Sequence, residues 1–590
     1  MVLHSADSLA AKKERLAFMC WIVTAMIAFF ICFVQIGFMA CLLAGRAGIA
    51  LVSPMALLVA LLGGCWITRR CGYPLMIFWR AAGVTLGLLA LALALSAFFY
   101  DLSWDGQWYH QAAIINIARD WNPLTDPLRS FNPAERIELW LRHYAKGPWY
   151  FAAAVYLTTG HVEWGKAIDW LSPAVAWFAV LAACIDGGLR SRYAVAIATV
   201  VAINPVVMSE ATTYLVDGVM ISFLVVVAAS IFTCLRRPNA AATSAGVAAT
   251  IVAINAKFTG LVYLCFLLAA AVLWCFFNRR QWLSKFALVA AGAVFLGVCV
   301  WGYNPYITNT IYRQQPFYPM LGSAKYPSIE QQGRDGNEKY ETPKNMVGRS
   351  RLIRFGYATF GRPGNQPYRK GLNASLMWPF TARPDDLYAY TYHETRLAGF
   401  GPLFSGCFIL AFALAVCLLI QTTSNRWLLL LLPATIIASL LISKHLWWPR
   451  YGPQFWLMPV IPLVFALREQ SSSLRKTLTQ VVLVLLLVDA SIVAFVRLHW
   501  ETSASFTLHT QLREMRDSGL IYEVRTLYFD DATNVRLTEA GVKYRDIGLA
   551  NLPNSHELTS VVEGYPAATH FRAVGVDTTA QGTSPDRNLR

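Results

Sequence analysis

Two aspartates and a histidine lie among aromatic residues in the short stretch YDLSWDGQWYH, which begins where a long apolar segment ends. Asp101 and Asp105 are spaced by four residues, so they would share one face if the segment is helical. A carboxylate can take the proton of a hydroxyl group, and His110 can hydrogen-bond the same group. Trp104 and Tyr109 lie between these residues, and carboxylates beside aromatic rings favour a site that handles a sugar.

Each of these polar residues also has a structural alternative. Asp is favoured at helix ends, so Asp101 could do no more than cap the preceding helical region. We therefore take Asp105 as the first choice for a general base and Asp101 as the second. An interfacial histidine such as His110 is as often structural as functional.

Three basic residues stand beside aromatic residues and could stabilise the charge on a phosphate. Lys146 lies in KGPWY, at the other end of the same loop as Asp105. Lys257 lies in NAKFTG at the end of an apolar segment, and Arg450 lies in LWWPRYGP. A lysine at a membrane helix end is costly unless it pairs or snorkels, and snorkelling is the alternative explanation for Lys257.

A second acidic position is the turn TTYLVDG, which contains Asp217 and is preceded by Glu210. Either acid could orient an acceptor or pair with Lys257. The alternative is an ordinary turn, because Asp-Gly is common in turns. No tight ligand spacing joins the acids and the histidine, so we expect no metal ion and no other cofactor.

Apolar helices are the elements that must position these residues. Of the 590 residues, 56% are hydrophobic and only 14% are charged, against about 25% charged in soluble domains. A bilayer core needs about 20 apolar residues per helix. We predict thirteen crossing segments, at residues 17–44, 47–67, 75–99, 167–189, 193–208, 219–235, 242–256, 261–277, 286–301, 403–420, 427–442, 455–467 and 478–496.

Basic residues predict the orientation of these segments. Lys12, Lys13 and Arg15 precede the first segment and hold the N-terminus in the cytoplasm by the positive-inside rule. If the segments alternate from there, every inner turn is basic. The inner turns contain Arg69, Arg70, Arg190, Arg192, Arg236, Arg237, Arg279, Arg280, Lys285, Arg426 and the stretch 468–476.

The chain is therefore predicted to be an all-α polytopic membrane protein with a small C-terminal α/β appendage. The short apolar stretch 149–158 is predicted to be a juxtamembrane helix. The predicted parts are three N-terminal transmembrane helices (1–100), a first outer loop with the acid and juxtamembrane helices (101–166), a transmembrane core (167–301), a long basic outer loop (302–401), C-terminal transmembrane helices (402–496) and an outer soluble tail (497–590).

The inner turns are too short to fold a nucleotide-binding domain, which takes on the order of 100 residues. The long polar segments all lie on the outer face, which nucleotide-activated substrates do not reach unaided. Chemistry there must draw on a membrane-borne activated donor or on none. The long loop can bind a ligand or touch anionic lipid heads through its clustered basic residues, Arg349, Arg351, Arg354, Arg362, Arg369 and Lys370.

The pattern resembles the GT-C superfamily of integral-membrane glycosyltransferases, in particular the protein O-mannosyltransferases and the lipid A aminoarabinose transferases. Residues 105–109, DGQWY, resemble their Asp-Glu-x-x-Tyr motif, with Gly106 in place of the second acid. Residues 146–150, KGPWY, look like their Lys-Pro-Pro-Leu-Tyr element, and Asp217 and Lys257 match a later acid and a lysine at a helix end. Three segments precede the acidic loop here, where the family usually has one.

This resemblance implies an inverting glycosyltransferase in a bacterial-type inner membrane, with its active site and C-terminus on the periplasmic face. The implied donor is a polyprenyl-phosphate-linked sugar, and the acceptor is a lipid-linked glycan, an envelope polysaccharide or a protein. Asp105 would be the base, and Lys146 would contact the donor phosphate. Membrane lipids are expected partners, and nucleic acid is not.

Two other classes of protein remain open at this point. A transporter or flippase for lipid-linked sugars is the main alternative. Such proteins carry ionisable residues at mid-membrane and often show inverted repeats, whereas the charges here lie at the predicted outer ends and no repeat is visible. The third is a non-catalytic scaffold whose basic loop binds anionic envelope polymers.

Overall fold

The computed structural model describes residues 2–46, 48–131, 137–333, 341–364, 373–421, 426–445, 447–468, 473–526, 528–548, 550–559 and 569–575. Helices dominate this part of the chain. In chain order the helices are α1 (Val2–Leu43), α2 (Val52–Arg70), α3 (Leu75–Phe98), α4 (Gln111–Arg119), α5 (Glu138–His143), α6 (Gly147–Thr159), α7 (Ala167–Asp186), α8 (Ser191–Ala202), α9 (Pro205–Glu210), α10 (Asp217–Arg236), α11 (Ala240–Ala256), α12 (Phe258–Asn278), α13 (Leu283–Phe295), α14 (Thr308–Arg313), α15 (Arg351–Phe360), α16 (Phe404–Gln421), α17 (Arg426–Leu440), α18 (Val460–Arg468), α19 (Ser473–Asp517) and α20 (Asp530–Glu539).

Among the described residues, eight helices are long and apolar enough to cross a membrane. They are Ala10–Leu43, Ile49–Arg70, Leu75–Phe98, Val162–Asp186, Asp217–Arg236, Phe258–Asn278, Arg280–Trp301 and Ser473–Asp517. The other five predicted segments coincide with shorter apolar helices, Ser191–Ala202, Ala240–Ala256, Phe404–Ile420, Trp427–Leu440 and Pro453–Arg468. These helices indicate a multi-pass membrane protein.

Helix α1 forms the centre of the bundle. It packs against α2, α3, α6, α7 and α11. Within its apolar stretch of 18 residues, 83% of the residues are buried inside the protein. Small residues allow the neighbouring helices to come close. A Cβ at Gly246 of α11, for example, would overlap the hydroxyl of Ser230 on α10. By contrast, only 11% of the residues in the apolar stretch of Arg280–Trp301 are buried, so this helix presents its side chains to lipid.

Two predicted segments differ from the helices that form. Segment 193–208 is interrupted, because α8 ends at Ala202 and α9 begins at Pro205. The side chain of Asn204 caps α9 by accepting a hydrogen bond from the backbone N–H of Val206. Segment 478–496 does not end where the tail was predicted to begin, because α19 continues without a break to Asp517.

The juxtamembrane stretch forms a helix, α6, but that helix lies inside the protein. Its first nine residues, from Gly147 to Val155, are all buried. It packs against α1 and α4. Trp149 and Tyr150 therefore contact protein rather than lipid headgroups.

The C-terminal tail forms a small sheet covered by helices, as predicted. The strands are β1 (Ile521–Thr526), β2 (Lys543–Asp546), β3 (His556–Glu557) and β4 (Thr569–Gly575), in the order β2-β1-β4-β3. Strand β1 pairs in parallel with β2, to which α20 connects it along the chain, and antiparallel with β4. The core of the tail joins Leu508 and Leu512 of α19 to Val524 of β1, and it includes Leu102 from the loop that follows α3.

Candidate active site

The carboxylate of Asp101 stabilises the turn that leads to Asp105. Asp101 is fully buried, and its Oδ1 accepts hydrogen bonds from the backbone N–H and the hydroxyl of Ser103 at 2.8 and 2.6 Å. Its Oδ2 accepts from the backbone N–H of Tyr214 at 2.7 Å. Burial raises the pKa of Asp101 to about 6, although Lys166 acts in the opposite direction. These contacts give Asp101 a structural role, in the turn that follows it rather than as the expected cap of the preceding helix.

Gly106 follows directly from this arrangement. A Cβ at Gly106 would overlap the carboxylate of Asp101 and the hydroxyl of Ser103. No side chain fits at this position while Asp101 and Ser103 keep their places. The glycine is therefore required by the buried Asp101.

Asp105 points to a different partner, so the expectation that the two aspartates share one helix face was wrong. Helical backbone begins at Trp104, after Asp101. The side chain of Asp105 is 23% exposed, and its Oδ2 accepts a hydrogen bond from Nη2 of Arg450 at 2.9 Å. Of the two aspartates, Asp105 is the one that solvent can reach.

Arg450 is the centre of the charged cluster. It lies in a short turn, Pro449–Tyr451, after two buried tryptophans. Its side chain is only 7% exposed and contacts three carboxylates. Besides Asp105, these belong to Asp217, 3.5 Å from Nε, and to Glu394, which binds Nη1.

Lys257 adds a second cation beside the same acids. Its backbone is extended, which separates α11 from α12. Its Nζ donates a hydrogen bond to Oδ1 of Asp217 at 2.6 Å and lies 5.1 Å from the centre of the Tyr451 ring. The pairing of Asp217 with Lys257, one of the two roles expected for this acid, is present in the structure.

Glu210 contributes to this cluster through the backbone of α10. Its Oε2 accepts a hydrogen bond from the backbone N–H of Gly218 at 2.7 Å, at the start of α10. Burial and the neighbouring carboxylate of Asp217 raise the pKa of Glu210 to about 8. Glu210 therefore fixes the first turn of the helix that carries Asp217.

Glu394 comes from the long polar loop between Trp301 and α16 and was not predicted as a site residue. It lies between Arg450 and Arg396, whose Nη2 is 3.7 Å from its Oε1. Arg396 in turn pairs with Glu341 at 3.1 Å. These ion pairs form a continuous chain from the long loop to Lys257. The only sequence signal was an acid followed by a base in the aromatic stretch YAYTYHETR.

Lys146 does not lie with these acids. It is fully buried, and its Nζ donates to the backbone carbonyls of Arg142 and Tyr144 at 3.0 and 2.9 Å. The rings of Trp121 and Trp149 lie beside the amine. Burial lowers the pKa of Lys146 well below its usual value. The structure therefore brings Arg450 and Lys257, but not Lys146, to Asp105 and Asp217.

His110 is buried next to the cluster in its neutral form. The indole N–H of Trp149 donates to Nδ1 of His110 at 2.7 Å, which leaves the proton on Nε2. Burial, with Arg450 and Lys257, lowers the pKa of His110 well below its usual value. Its Nε2 has no hydrogen-bond partner among the described residues. The ring of Tyr109 packs on the ring of His110, with 4.3 Å between the ring centres.

The tail domain contacts the turn that carries Asp105. Arg536 of α20 is buried and donates to Oε1 of Glu163 at 2.8 Å, to the carbonyl of Asp101 at 3.2 Å and to Oε1 of Gln107 at 3.3 Å. The ring of Trp104 packs against Phe529, at 5.1 Å between ring centres. The tail thus holds the turn from its outer side.

Three of the basic residues of the long loop bind the protein itself. Arg351 and Arg354 donate to the carbonyls of Leu441 and Lys444. Arg362 pairs with Asp386 at 2.7 Å. Arg369 and Lys370 lie outside the described residues.

The acids that were considered together do not converge on one point. Asp101 binds Ser103 and Tyr214, whereas Asp105 and Asp217 meet at Arg450. In the described part of the chain, no group of three or more His, Cys, Asp or Glu residues is arranged to hold a metal ion.

Comparison with models of known protein families finds no match, and comparison with curated protein sequences finds none either. The class of protein is defined by the fold itself. It is a multi-pass membrane protein in which turns between apolar helices, a long polar loop and a small α/β tail come together around buried ion pairs.

Proposed function

We propose that this protein is an inverting glycosyltransferase that moves a sugar from a polyprenyl-phosphate donor to an envelope acceptor on the outer face of the membrane. The observation that carries the proposal is the pairing of a partly exposed acid, Asp105, with a buried cation, Arg450. Lys257 stands on the other side of Asp217. An acid beside two cations is the minimum that such a transfer requires.

In this mechanism the carboxylate of Asp105 accepts the proton of the acceptor hydroxyl. The hydroxyl oxygen forms a bond to the anomeric carbon as the bond from that carbon to the phosphate oxygen breaks. The polyprenyl phosphate leaves with the bonding electrons, and the proton remains on Asp105. Attack opposite to the leaving phosphate inverts the anomeric configuration.

Arg450 and Lys257 stabilise the negative charge that the phosphate gains in this step. Both are buried, where electrostatic interactions are stronger than in water. We therefore assign to Arg450 and Lys257 the phosphate contact that the resemblance suggested for Lys146. The buried Lys146 instead binds the carbonyls at the end of α5.

The arrangement of the apolar segments supports a common outer face for the site. Two predicted segments separate each of these positions from the next along the chain: the first outer loop, the turn with Asp217, Lys257, Glu394, Arg450 and the tail. If every segment crosses the bilayer, all six positions lie on the same side. Their convergence in the fold is what thirteen crossings require.

Position along the helices also supports this proposal over a transporter. Asp217 is the first residue of α10, Lys257 stands between two helices, and Arg450 lies in a turn. A transporter for lipid-linked sugars would place such charges near the middle of the bilayer. An enzyme at the membrane surface needs them at helix ends.

The test replaces the proposed base without changing its shape. Asp105→Asn in nanodiscs should lower the release of polyprenyl phosphate from polyprenyl-phosphate sugars, in the presence of envelope extract, by roughly 100-fold or more. Binding of the donor should persist, because an amide oxygen can still accept from Arg450.

Asp385→Asn is the matched control, because Asp385 is exposed in the long loop. This variant should transfer sugar as the wild type does. Unchanged transfer in the Asp105→Asn variant would refute the assignment of the base. A panel of donors with different hexoses and pentoses identifies the sugar in the same assay.

A further inference from the structure

The hydrogen-bonding edge of Arg450 is occupied by carboxylates on both sides. Nη2 donates to Asp105, and Nη1 donates to Glu394. Asp217 lies near Nε. A phosphate that binds this edge of the guanidinium therefore competes with these acids.

Two of the three acids are poorly suited to leave. Asp217 is held by Lys257 at 2.6 Å, and it begins α10, whose backbone is fixed. Asp105 must stay beside the phosphate if it is to accept the acceptor's proton. Glu394 is the remaining acid, and it belongs to the long loop rather than to a bundle helix.

Glu394 also has a second cation within reach. Its Oε1 lies 3.7 Å from Nη2 of Arg396, while its Oε2 binds Arg450. Both guanidinium groups lie beside the ring of Trp448, at 4.6 and 5.2 Å from the ring centre. A rotation of the Glu394 side chain toward Arg396 would release Arg450 without leaving the carboxylate unpaired.

The charges of the exchange balance. Asp105, Asp217 and Glu394 carry three negative charges beside the two positive charges of Arg450 and Lys257. The phosphate of a polyprenyl-phosphate sugar is a diester with a single negative charge, the same as one carboxylate. If Glu394 stayed on Arg450, the phosphate would add a fourth negative charge beside these two cations, which is strongly unfavourable; its movement to Arg396 keeps three.

We propose that Glu394 occupies the phosphate position on Arg450 in the free protein and is displaced toward Arg396 when the donor binds. This inference rests on the proposed function, since it assumes that Arg450 binds a polyprenyl phosphate. It gives the long outer loop a role in selection: a ligand must supply an anion to open the site. An uncharged lipid-linked sugar cannot make the exchange.

The experiment measures binding of undecaprenyl methyl phosphate, a diester that carries one negative charge as the donor does, to the full chain in nanodiscs. A ligand that must displace a competing group binds with an affinity reduced by the fraction of protein in the open state. Glu394→Gln removes the competing charge and should tighten binding by about tenfold if about one tenth of the wild type is open. Arg396→Gln removes the alternative partner of Glu394 and should weaken binding.

Glu330→Gln is the matched control, because Glu330 is an exposed acid of the same loop that pairs with Lys444. It should bind as the wild type does. Glu394→Ala also removes the competing charge and should tighten binding as well, which keeps the inference testable if Glu394→Gln is unstable. Thermal unfolding of each variant shows whether it is folded.

The outcomes separate the two proposals. Wild-type binding that is lost in Arg450→Ala but unchanged or weakened in Glu394→Gln would overturn the exchange and leave the proposed function intact. Failure of wild type to bind undecaprenyl methyl phosphate, or binding that does not depend on Arg450, would overturn both.

Discussion

At the scale of single residues, Asp101 and Asp105 show how two identical side chains acquire different roles. Asp101 accepts three hydrogen bonds from protein donors and is excluded from water. Asp105 shares its one strong partner, Arg450, with other acids. A carboxylate whose oxygens are all bonded to the protein cannot take a substrate proton without disrupting the turn. Substitution of Asp101 should therefore affect stability, and substitution of Asp105 should affect transfer.

Asp101→Asn should destabilise the protein by about 1–3 kcal/mol, because an amide cannot accept from all three donors and leaves a buried group unsatisfied. We expect a lower midpoint of thermal unfolding in detergent, whereas Asp105→Asn should unfold near the wild-type temperature. If Asp101→Asn instead unfolds as the wild type does but loses transfer, then Asp101 is the base.

Glu210 predicts a pH dependence of stability. Burial and Asp217 raise its pKa to about 8, while an unfolded chain holds glutamate near its ordinary pKa of about 4.3. The folded protein therefore binds a proton that the unfolded chain has released, and stability falls as the pH rises from about 5 through 8. The unfolding midpoint should decline over this range, and Glu210→Gln should reduce the decline. An equal decline in that variant would contradict the role of Glu210.

At the scale of elements, the sequence predicted the apolar helices well because length and hydrophobicity are strong signals. Every predicted segment coincides with an apolar helix or part of one. The break between α8 and α9 follows from Asn204 and Pro205, a cap and a helix-starting proline. Those two signals were present in the sequence but were outweighed by its apolar composition.

The continuity of α19 was missed for a different reason. Arg497 and Glu501 are charged and mark the end of the apolar run, so the sequence indicates a boundary at this point. In the fold both side chains are fully buried and pair with each other, and His393 contacts Glu501 at 3.2 Å. Charges that pair with each other inside the protein look like solvent-exposed charges when only the sequence is read.

Helix α20 is the element whose role the sequence did not reveal. Its buried Arg536 holds Glu163, Gln107 and the backbone of Asp101. Glu539 of the same helix accepts from the backbone N–H of Val162 at 2.9 Å. The tail is therefore part of the wall behind the proposed base.

Arg536→Ala should leave Glu163 with Lys166 as its remaining cation and should loosen the tail. Expected results are faster cleavage of the tail by trypsin and at least about tenfold slower transfer, since removing one partner of a buried pair is strongly destabilising. Arg536→Lys keeps the charge but not the forked geometry and should restore part of the activity. Arg572→Ala is the control, because Arg572 pairs with Glu523 within the tail sheet. Equal cleavage and transfer in wild type and Arg536→Ala would show that α20 does not position the turn.

At the scale of the whole molecule, the site is assembled from segments that are far apart in the sequence. Asp105 and Arg450 are separated by 345 residues, and Glu394 comes from a third region. The sequence identified Arg450 as a cation among aromatic residues, but a pairing at that distance depends on how the helices pack. For the same reason, Lys146 was assigned to a phosphate from its local motif, although its amine turns inward to two carbonyl groups.

The proposed topology can be tested with protease sites inserted in exposed turns. Gly548 lies in an exposed turn of the tail, and Gly188 in an exposed turn between α7 and α8. With thirteen crossings, a protease added to intact spheroplasts should cut the Gly548 insertion and spare the Gly188 insertion until the membrane is opened. Cleavage of both, or of Gly188 alone, would contradict this orientation.

The contact between Arg536 and Glu163 also sets the order of events during synthesis. The two residues are 373 residues apart, so at about 5–20 residues per second the ribosome needs roughly 20–75 s to reach Arg536 after making Glu163. Throughout that interval the loop with Asp105 lacks the guanidinium that completes its outer wall. The loop can be completed only after nearly the entire chain has been made. A chain that ends before Arg536 lacks this contact.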